Sequence, residues 1–526
     1  MDLSKISEFR QKNEFNFNVE SISDEEKNKI FADCMILLKN QDVENVADAL
    51  TCFLILSRDP EYHKQLAEND TLSILIREAG LLPTSPKRPH DSIVDALKCL
   101  SNVLFKNASA IQHFRLNHCL DTLLERCESQ VKFPTDLRIL QFDIKLLFLC
   151  SALESASRLE ILTSHFESEF FTDFLQWSLK SDYTAQPQIF NITIDMLKFI
   201  FNLCYAKRER DYDQNLYEPT FRVLTTIIRD MIMKPVAPVD RKMELVSHLV
   251  NFLTSVPLSC FSELLFPPSN LDESLAKVDL HCDSNVTLAL AVLVDFLEYQ
   301  LDQNDMAPAR APQLLSPILT VIATASKANR TIRKYFRMRI LPPLGSDVKR
   351  LPESGPTLRN RLCNRLTAKL HNDDGTAEAT ALLIFILCKE KVDRAVKYSG
   401  FGNFVGFLSR HGLLARSESN DGDDGTYSPE SSDSETEEYR VLKDRVNPVT
   451  GRVEPPRHDP MEGLSEEQKE YEAIQLVNKI DELQKSGLIQ PGVVGEDGRV
   501  RPAEHVLELV QNIPDEPEKS DGDESD

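Results

Sequence analysis

The sequence predicts an all-α protein, a right-handed superhelical solenoid of stacked helices followed by an acidic linker and one further helix. Three observations carry this. Amphipathic windows at helical spacing follow one another from about Glu25 to Leu414. Gly and Pro are scarce, at 17 and 28 residues in a chain of 526, too few for the turns of a multi-stranded protein. The apolar windows also recur at a nearly fixed period. A chain of this length exceeds what one compact core supports, so it folds as several domains or as an extended array.

The windows that repeat are IVDALKCLSNVLF (93–105), FDIKLLFLCSALE (142–154), TIDMLKFIFNLCY (193–205) and KMELVSHLVNFLTSV (242–256). Aligned on one apolar anchor, they place Leu50, Leu97, Ile144, Leu197 and Val246 in register, at spacings of 47, 47, 53 and 49 residues. Armadillo and HEAT units of two or three helices recur every ~40–47 residues, and each buries its apolar face only by stacking on the next. The expectation is therefore an armadillo/HEAT-like array with a concave surface lined by the equivalent helix of each unit.

The array is expected to occupy 1–416. Composition changes near Arg416, where Asp421 to Glu438 carries eight acids and no Lys or Arg amid Ser and Gly, so 417–446 reads as a disordered acidic linker. The following extension, 447–491, contains a helix at 464–487, started by a Ser465 cap with Gln468 three residues on and stopped by Gly487. The tail, 492–526, reads as acidic and mostly disordered, its last run PDEPEKSDGDESD (514–526) being too acidic and too poor in apolar residues to fold.

The formal net charge of −23 excludes nucleic acid and anionic lipid as default partners. Neither a signal-peptide core nor the ~18 apolar residues of a membrane span is present, so no membrane insertion is expected and the location is read as cytoplasmic, with recruitment to the cell cortex left open. Eleven cysteines without a CxxC pair read as reduced core thiols rather than a disulfide or metal framework. Searches for a phosphate loop, a dinucleotide fingerprint, HExxH and GxSxG return nothing, so no catalytic residue, metal or cofactor is assigned. The glycines of KYSGFGNFVGFL (397–408) read as a structural break between helices.

Binding residues come from the repeat. Five residues after the anchor stand Asn102, Asn202 and Asn251. Asn is a mediocre helix former, and a carboxamide that donates and accepts suits pairing with the main chain of a bound segment. Bonds inside the stack are the other reading. Basic residues crowd 326–344, where Lys327, Arg330, Lys334 and Arg337 are spaced to share one helix face that could receive an acidic element. Ser432 and Ser434 precede Glu435 and Glu437 by three residues, the pattern of acidophilic, casein-kinase-type kinases.

Against these residues a family resemblance stands out. ILSRD (55–59), NVLF, LKFIFNLCY, NRTIRKYFRMRILPPL, LCKEKVDRAVKYSGFGNFVGFLSRHGLL, SETEEY, NPVTGRVE and DPMEGLSEEQKEYEAIQLVNKIDELQKSGLIQP resemble the synembryn family over nearly the whole chain, most specifically from Ser434 to Pro491. The resemblance implies a folding chaperone and non-receptor guanine-nucleotide exchange factor that acts by binding nucleotide-free G-protein α subunits, without covalent chemistry. It implies that the groove takes the C-terminal helix of Gα, through Arg58, Asn102, Asn202 and Asn251, while later segments reach its nucleotide-binding domain. It also places phosphorylation on Ser434 and, with a local gap, on Ser428, which precedes Pro429 and departs from the acidic pattern. The rival reading is an armadillo adaptor of the nuclear-transport or adhesion type, and a hydrolase or transferase on the helical array is a third. Import receptors pair each Asn with a Trp, whereas this chain has one, Trp177.

Overall fold

The computed structural model describes residues 3–39, 45–209, 217–265, 287–306, 311–367, 375–414, 436–454, 463–486, 492–494 and 500–503. These residues form an all-α protein with two short antiparallel hairpins. The chain divides into two compact units, one of 1–299 with 328–332, the other of 300–327 with 333–526.

The first unit begins with α1 (Leu3–Asn13), α2 (Asp24–Lys39), α3 (Val46–Leu56), α4 (Tyr62–Leu66) and α5 (Asn69–Glu78). Three-helix groups follow: α6 (His90–Lys106), α7 (Ala108–Leu116) and α8 (Cys119–Lys132), then α9 (Leu137–Leu153), α10 (Ser155–His165) and α11 (Phe170–Lys180). Next come α12 (Pro187–Glu209), α13 (Glu218–Met233) and α14 (Val239–Leu253). One row of helices packs in sequence, α3 on α6, α6 on α9, α9 on α12 and α12 on α14, flanked by α8 on α11 and α11 on α13. The period in the sequence is this row. Its anchors Leu50, Leu97, Ile144, Leu197 and Val246 are all fully buried, each being the point where an inner helix meets its neighbours.

Polar bonds fix the offset between neighbours where apolar packing alone would let helices slide. Arg126 on α8 grips the fully buried Asp143 on α9 through two bonds, Nε to Oδ2 at 2.8 Å and Nη2 to Oδ1 at 2.6 Å, and its Nη1 donates to the Ala79 carbonyl just past α5 at 2.7 Å. Lys234 donates to the Leu179 and Ser181 carbonyls at the end of α11. The ten described cysteines are buried thiols in no disulfide, and Cys282 lies outside the described residues.

The chain leaves the first unit along α15 (Leu288–Met306), and the second unit holds most of α16 (Ala311–Ala328) and of α17 (Arg330–Ile340). It continues through α18 (Leu358–Leu366), α19 (Thr376–Leu387), α20 (Val392–Ser399), α21 (Phe401–Arg410), α22 (Glu437–Leu442) and α23 (Glu466–Lys485). Among the described residues no helix is long and apolar enough to cross a membrane. Strands β1 (Val446–Asn447) and β2 (Arg452–Val453) form the first hairpin, β3 (Gly492–Val494) and β4 (Val500–Pro502) the second.

Residues 436–454 clasp the second unit. The Thr436 hydroxyl donates to the Leu344 carbonyl, the Ser346 N–H donates to Glu438 Oε2 at 3.0 Å, and Lys397 lies over the Tyr439 ring at 4.4 Å. The Phe401 and Gly402 N–H groups donate to the Pro448 and Val449 carbonyls, each at 2.9 Å. Gly400, at φ 78°, closes the turn between α20 and α21 so tightly that a Cβ there would meet the Thr450 backbone at 3.1 Å. These glycines therefore serve backbone approach, which explains why their spacing matches no phosphate loop.

Candidate functional site: the open face of the inner helices

Each inner helix buries its anchor, and several of the residues one, four, five and eight positions later stay half-exposed or exposed. On α6 these include Lys98, Asn102 and Phe105, on α9 Lys145 and Phe148, on α12 Lys198, Phe201, Asn202 and Tyr205, and on α14 Ser247, Asn251 and Thr254. Phe105 is 56% and Tyr205 47% exposed, large apolar areas for residues of packed helices. Taken together, these positions form a strip of aromatics, amides and lysines on consecutive helices, without an amide on α9 and without a lysine or aromatic on α14. An apolar segment with some polar groups fits such a strip.

The amides have a regular geometry. Asn102 Nδ2 donates to Ser57 Oγ at 2.9 Å, and Asn202 Nδ2 donates to Ser151 Oγ at 3.1 Å. Ser57 and Ser151 stand at the same repeat position, seven after the anchor, and each hydroxyl donates to the carbonyl three residues earlier, Leu54 and Phe148. The amide nitrogens thus tie each of these helices to the one before. Among the described residues neither Oδ1 has a partner, which leaves one acceptor per amide on the half-exposed side. Asn251 faces a different neighbour, because the matching position on α12 is Cys204, and among the described residues its side chain makes no hydrogen bond. Asn102→Ala and Asn202→Ala are each expected to lower stability by about 1 kcal/mol, read from urea unfolding. Partner affinity falling beyond that loss would identify Oδ1 as a contact, and unchanged affinity would leave the amides as ties alone.

Arg58 stands eight after its anchor, equivalent to Phe105 and Tyr205. Its guanidinium donates to the main-chain carbonyls of Asn16 at 2.7 Å and Glu14 at 3.0 Å and lies 4.6 Å from the centre of the Phe17 ring. Burial lowers its pKa from the ordinary arginine value. A partner contact by Arg58 therefore shares the guanidinium with residues 14–17 or displaces them. Farther along the row, burial first and Lys198 second push the His248 pKa down to about 4, so that imidazole is neutral at physiological pH.

The basic segment differs from its expected form. Asn329 breaks the helix and its Oδ1 accepts from the Thr331 and Ile332 N–H groups, starting α17 afresh. Lys327 consequently belongs to α16, where it pairs with Glu390 at 3.3 Å, and does not share a continuous helix face with the others. Arg330 and Lys334 are exposed, while Arg337 is half-buried and donates to the Tyr398 hydroxyl at 2.7 Å. Tyr335 and Phe336 are fully buried and offer no stacking surface. Ser428, Ser432 and Ser434 lie outside the described residues.

Sequence reasoning missed the lysines and aromatics of the strip because a Lys or Phe in an amphipathic helix is unremarkable by itself. The register that exposed the asparagines would have found them, since Lys98, Lys145 and Lys198 all stand one after the anchor. Trp177, by contrast, lies on α11 against Phe174, outside the inner row.

Residues 49–499 match the Ric8 family, described as guanine nucleotide exchange factor synembryn. Among curated proteins, Chaperone Ric-8 of Drosophila pseudoobscura pseudoobscura is 37% identical over 443 residues, covering 81% of this chain and 75% of that protein. Chaperone Ric-8A of Xenopus tropicalis is 33% identical over 543 residues, covering 98% of this chain and 95% of that protein, and Chaperone Ric-8A of Danio rerio is 34% identical over 471 residues, covering 85% and 82%. The row of anchors found in the sequence, its amides included, falls inside the matched stretch, and the chain belongs to the Ric8 family of synembryn proteins.

Proposed function

We propose that this chain binds nucleotide-free G-protein α subunits, assists their folding and speeds exchange of GDP for GTP, by binding alone. Membership of a family described as guanine nucleotide exchange factors, with relatives named as chaperones, carries the reading. The half-exposed strip on α6, α9, α12 and α14 supports it as the seat for a helical segment of Gα, its C-terminal helix. The exposed apolar side of α23 supports a second contact, with the nucleotide-binding domain. Two contacts on different parts of Gα can hold it in a conformation that nucleotide disfavours.

Linkage then supplies the catalysis. A protein that prefers nucleotide-free Gα weakens nucleotide affinity by the same factor, and GTP binding releases the product. Tenfold in that factor corresponds to about 1.4 kcal/mol. Phosphorylation of Ser432 and Ser434 by an acidophilic kinase would add charge that Arg330, Lys334 and Arg337 can receive, giving the reading a regulatory arm.

Release of a fluorescent GDP analogue from purified Gα subunits tests this. Catalytic amounts of the chain are expected to raise the rate for at least one Gα and to form a complex, stable to gel filtration, that dissociates on adding GTP with Mg²⁺. Kinase treatment should raise the rate further, except in the Ser432→Ala, Ser434→Ala variant. Failure of every Gα to show faster release or a complex would refute the proposal.

A further inference from the structure

Three lysines occupy one repeat position on consecutive inner helices, yet their surroundings differ. Lys98 pairs with Asp95 at 3.4 Å and Lys198 with Asp195 at 3.1 Å, each three residues earlier on its own helix. On α9 the acid of the repeat is displaced by one residue. It falls at Asp143, two before Lys145, where a helix points the two side chains apart, and Asp143 is consumed by Arg126 inside the stack. The place three before Lys145 is taken by Phe142, whose ring centre lies 5.6 Å from the ammonium. Among the described residues Lys145 has no carboxylate partner.

Lys145 is half-buried on α9, between the helices that carry the other two lysines, with Phe142 and Phe148 on its own helix and Phe201 and Asn202 on the next. An ammonium already short of water pays less to meet a counter-ion than an exposed one, and the aromatic face holds it without neutralising it. The chain as a whole carries −23, so an ammonium without a carboxylate beside it on this face is a local place of attraction for an acidic segment.

We propose that Lys145 is the charge-reading position of the open face, receiving a carboxylate carried by the bound protein segment. Lys98 and Lys198, neutralised by their own aspartates, pack against that segment without selecting it. The inference rests on the proposed seating of a Gα helix and names what that seat requires of its occupant.

The test uses the full chain with peptides of the last ~20 residues of a Gα subunit. Lys145→Met is expected to weaken peptide affinity about tenfold and to flatten its salt dependence, with Lys145→Arg restoring most of both. The double variants Asp95→Asn, Lys98→Met and Asp195→Asn, Lys198→Met should change affinity less than about threefold, because each removes both charges of a pair. Amidating the peptide's C-terminus, or replacing its acidic side chains by amides, separates the two sources of carboxylate. The modification that weakens binding to the parent but not to Lys145→Met identifies the group received. Equal losses for all three methionine variants, or a Lys145→Met loss with unchanged salt dependence and both peptide modifications still felt, would overturn the inference. A parent chain that binds neither peptide nor Gα would instead overturn the functional reading and this inference with it.

Discussion

Asp143→Ala is expected to lower the stability of the first unit by about 3–5 kcal/mol, the cost of leaving a buried charge without its partner. The carboxylate is fully buried and accepts two bonds from Arg126, which also donates to the Ala79 carbonyl. Its loss strands a guanidinium held at the meeting of α5, α8 and α9. Asp143→Asn should fall between, because an amide can accept one of the two bonds. The double variant Arg126→Met, Asp143→Leu should recover much of the loss, since replacing a buried pair by apolar groups is often neutral or better. Hydrogen exchange of α8 and α9 amides is the measurement, as it reports this region independently of the second unit. Protection that survives Asp143→Ala would show the pair to be dispensable.

Removal of residues 463–503 is expected to cut nucleotide release at least tenfold while leaving affinity for the Gα C-terminal peptide unchanged. Helix α23 starts at a complete capping box, Ser465 with Gln468, and is joined to the second hairpin by a bond from Gln484 Nε2 to the Ala503 carbonyl at 3.1 Å. It buries none of its own residues, yet Ile474, Leu476, Val477 and Leu483 recur along it and are exposed. A helix so capped and so unburied has its apolar side free for another molecule. Ile474→Asp with Val477→Asp should reproduce the deletion without shortening the chain. Unimpaired release by either variant would confine the exchange surface to the inner helices.

The inner row was legible because burial repeats. Leu50, Leu97, Ile144, Leu197 and Val246 are all fully buried, and anchors defined by core packing leave a periodic apolar trace. Helix α23 was legible from its cap, where local chemistry decides the start, and its helical range of Glu466–Lys485 lies within the expected 464–487. What escaped depended on single-residue offsets or on distant partners. Asp143 resembles Asp95 and Asp195 in the aligned windows, yet one position turns it from the open side into the stack. Asn329 ends the face shared by Lys327 and the arginines, because its side chain satisfies the first N–H groups of α17 better than a continuing helix does. Arg58 could not be seen to hold residues 14–17, since 42 residues separate it from Asn16 and no pattern links them.

The clasp at 436–454 also bears on how this chain tolerates change. Leu414 and Thr436, the described residues on either side of 415–435, both belong to the second unit, and the stretch that begins at Thr436 is pinned by Thr436 to Leu344, by Glu438 to Ser346 and by Val449 to Gly402. A single methyl on Gly400 or Gly451 would disturb this fastening, because a Cβ at either glycine would meet the backbone of the other stretch at 3.1 Å. The downstream chain is thus fastened by single backbone groups, and these two glycines fix where.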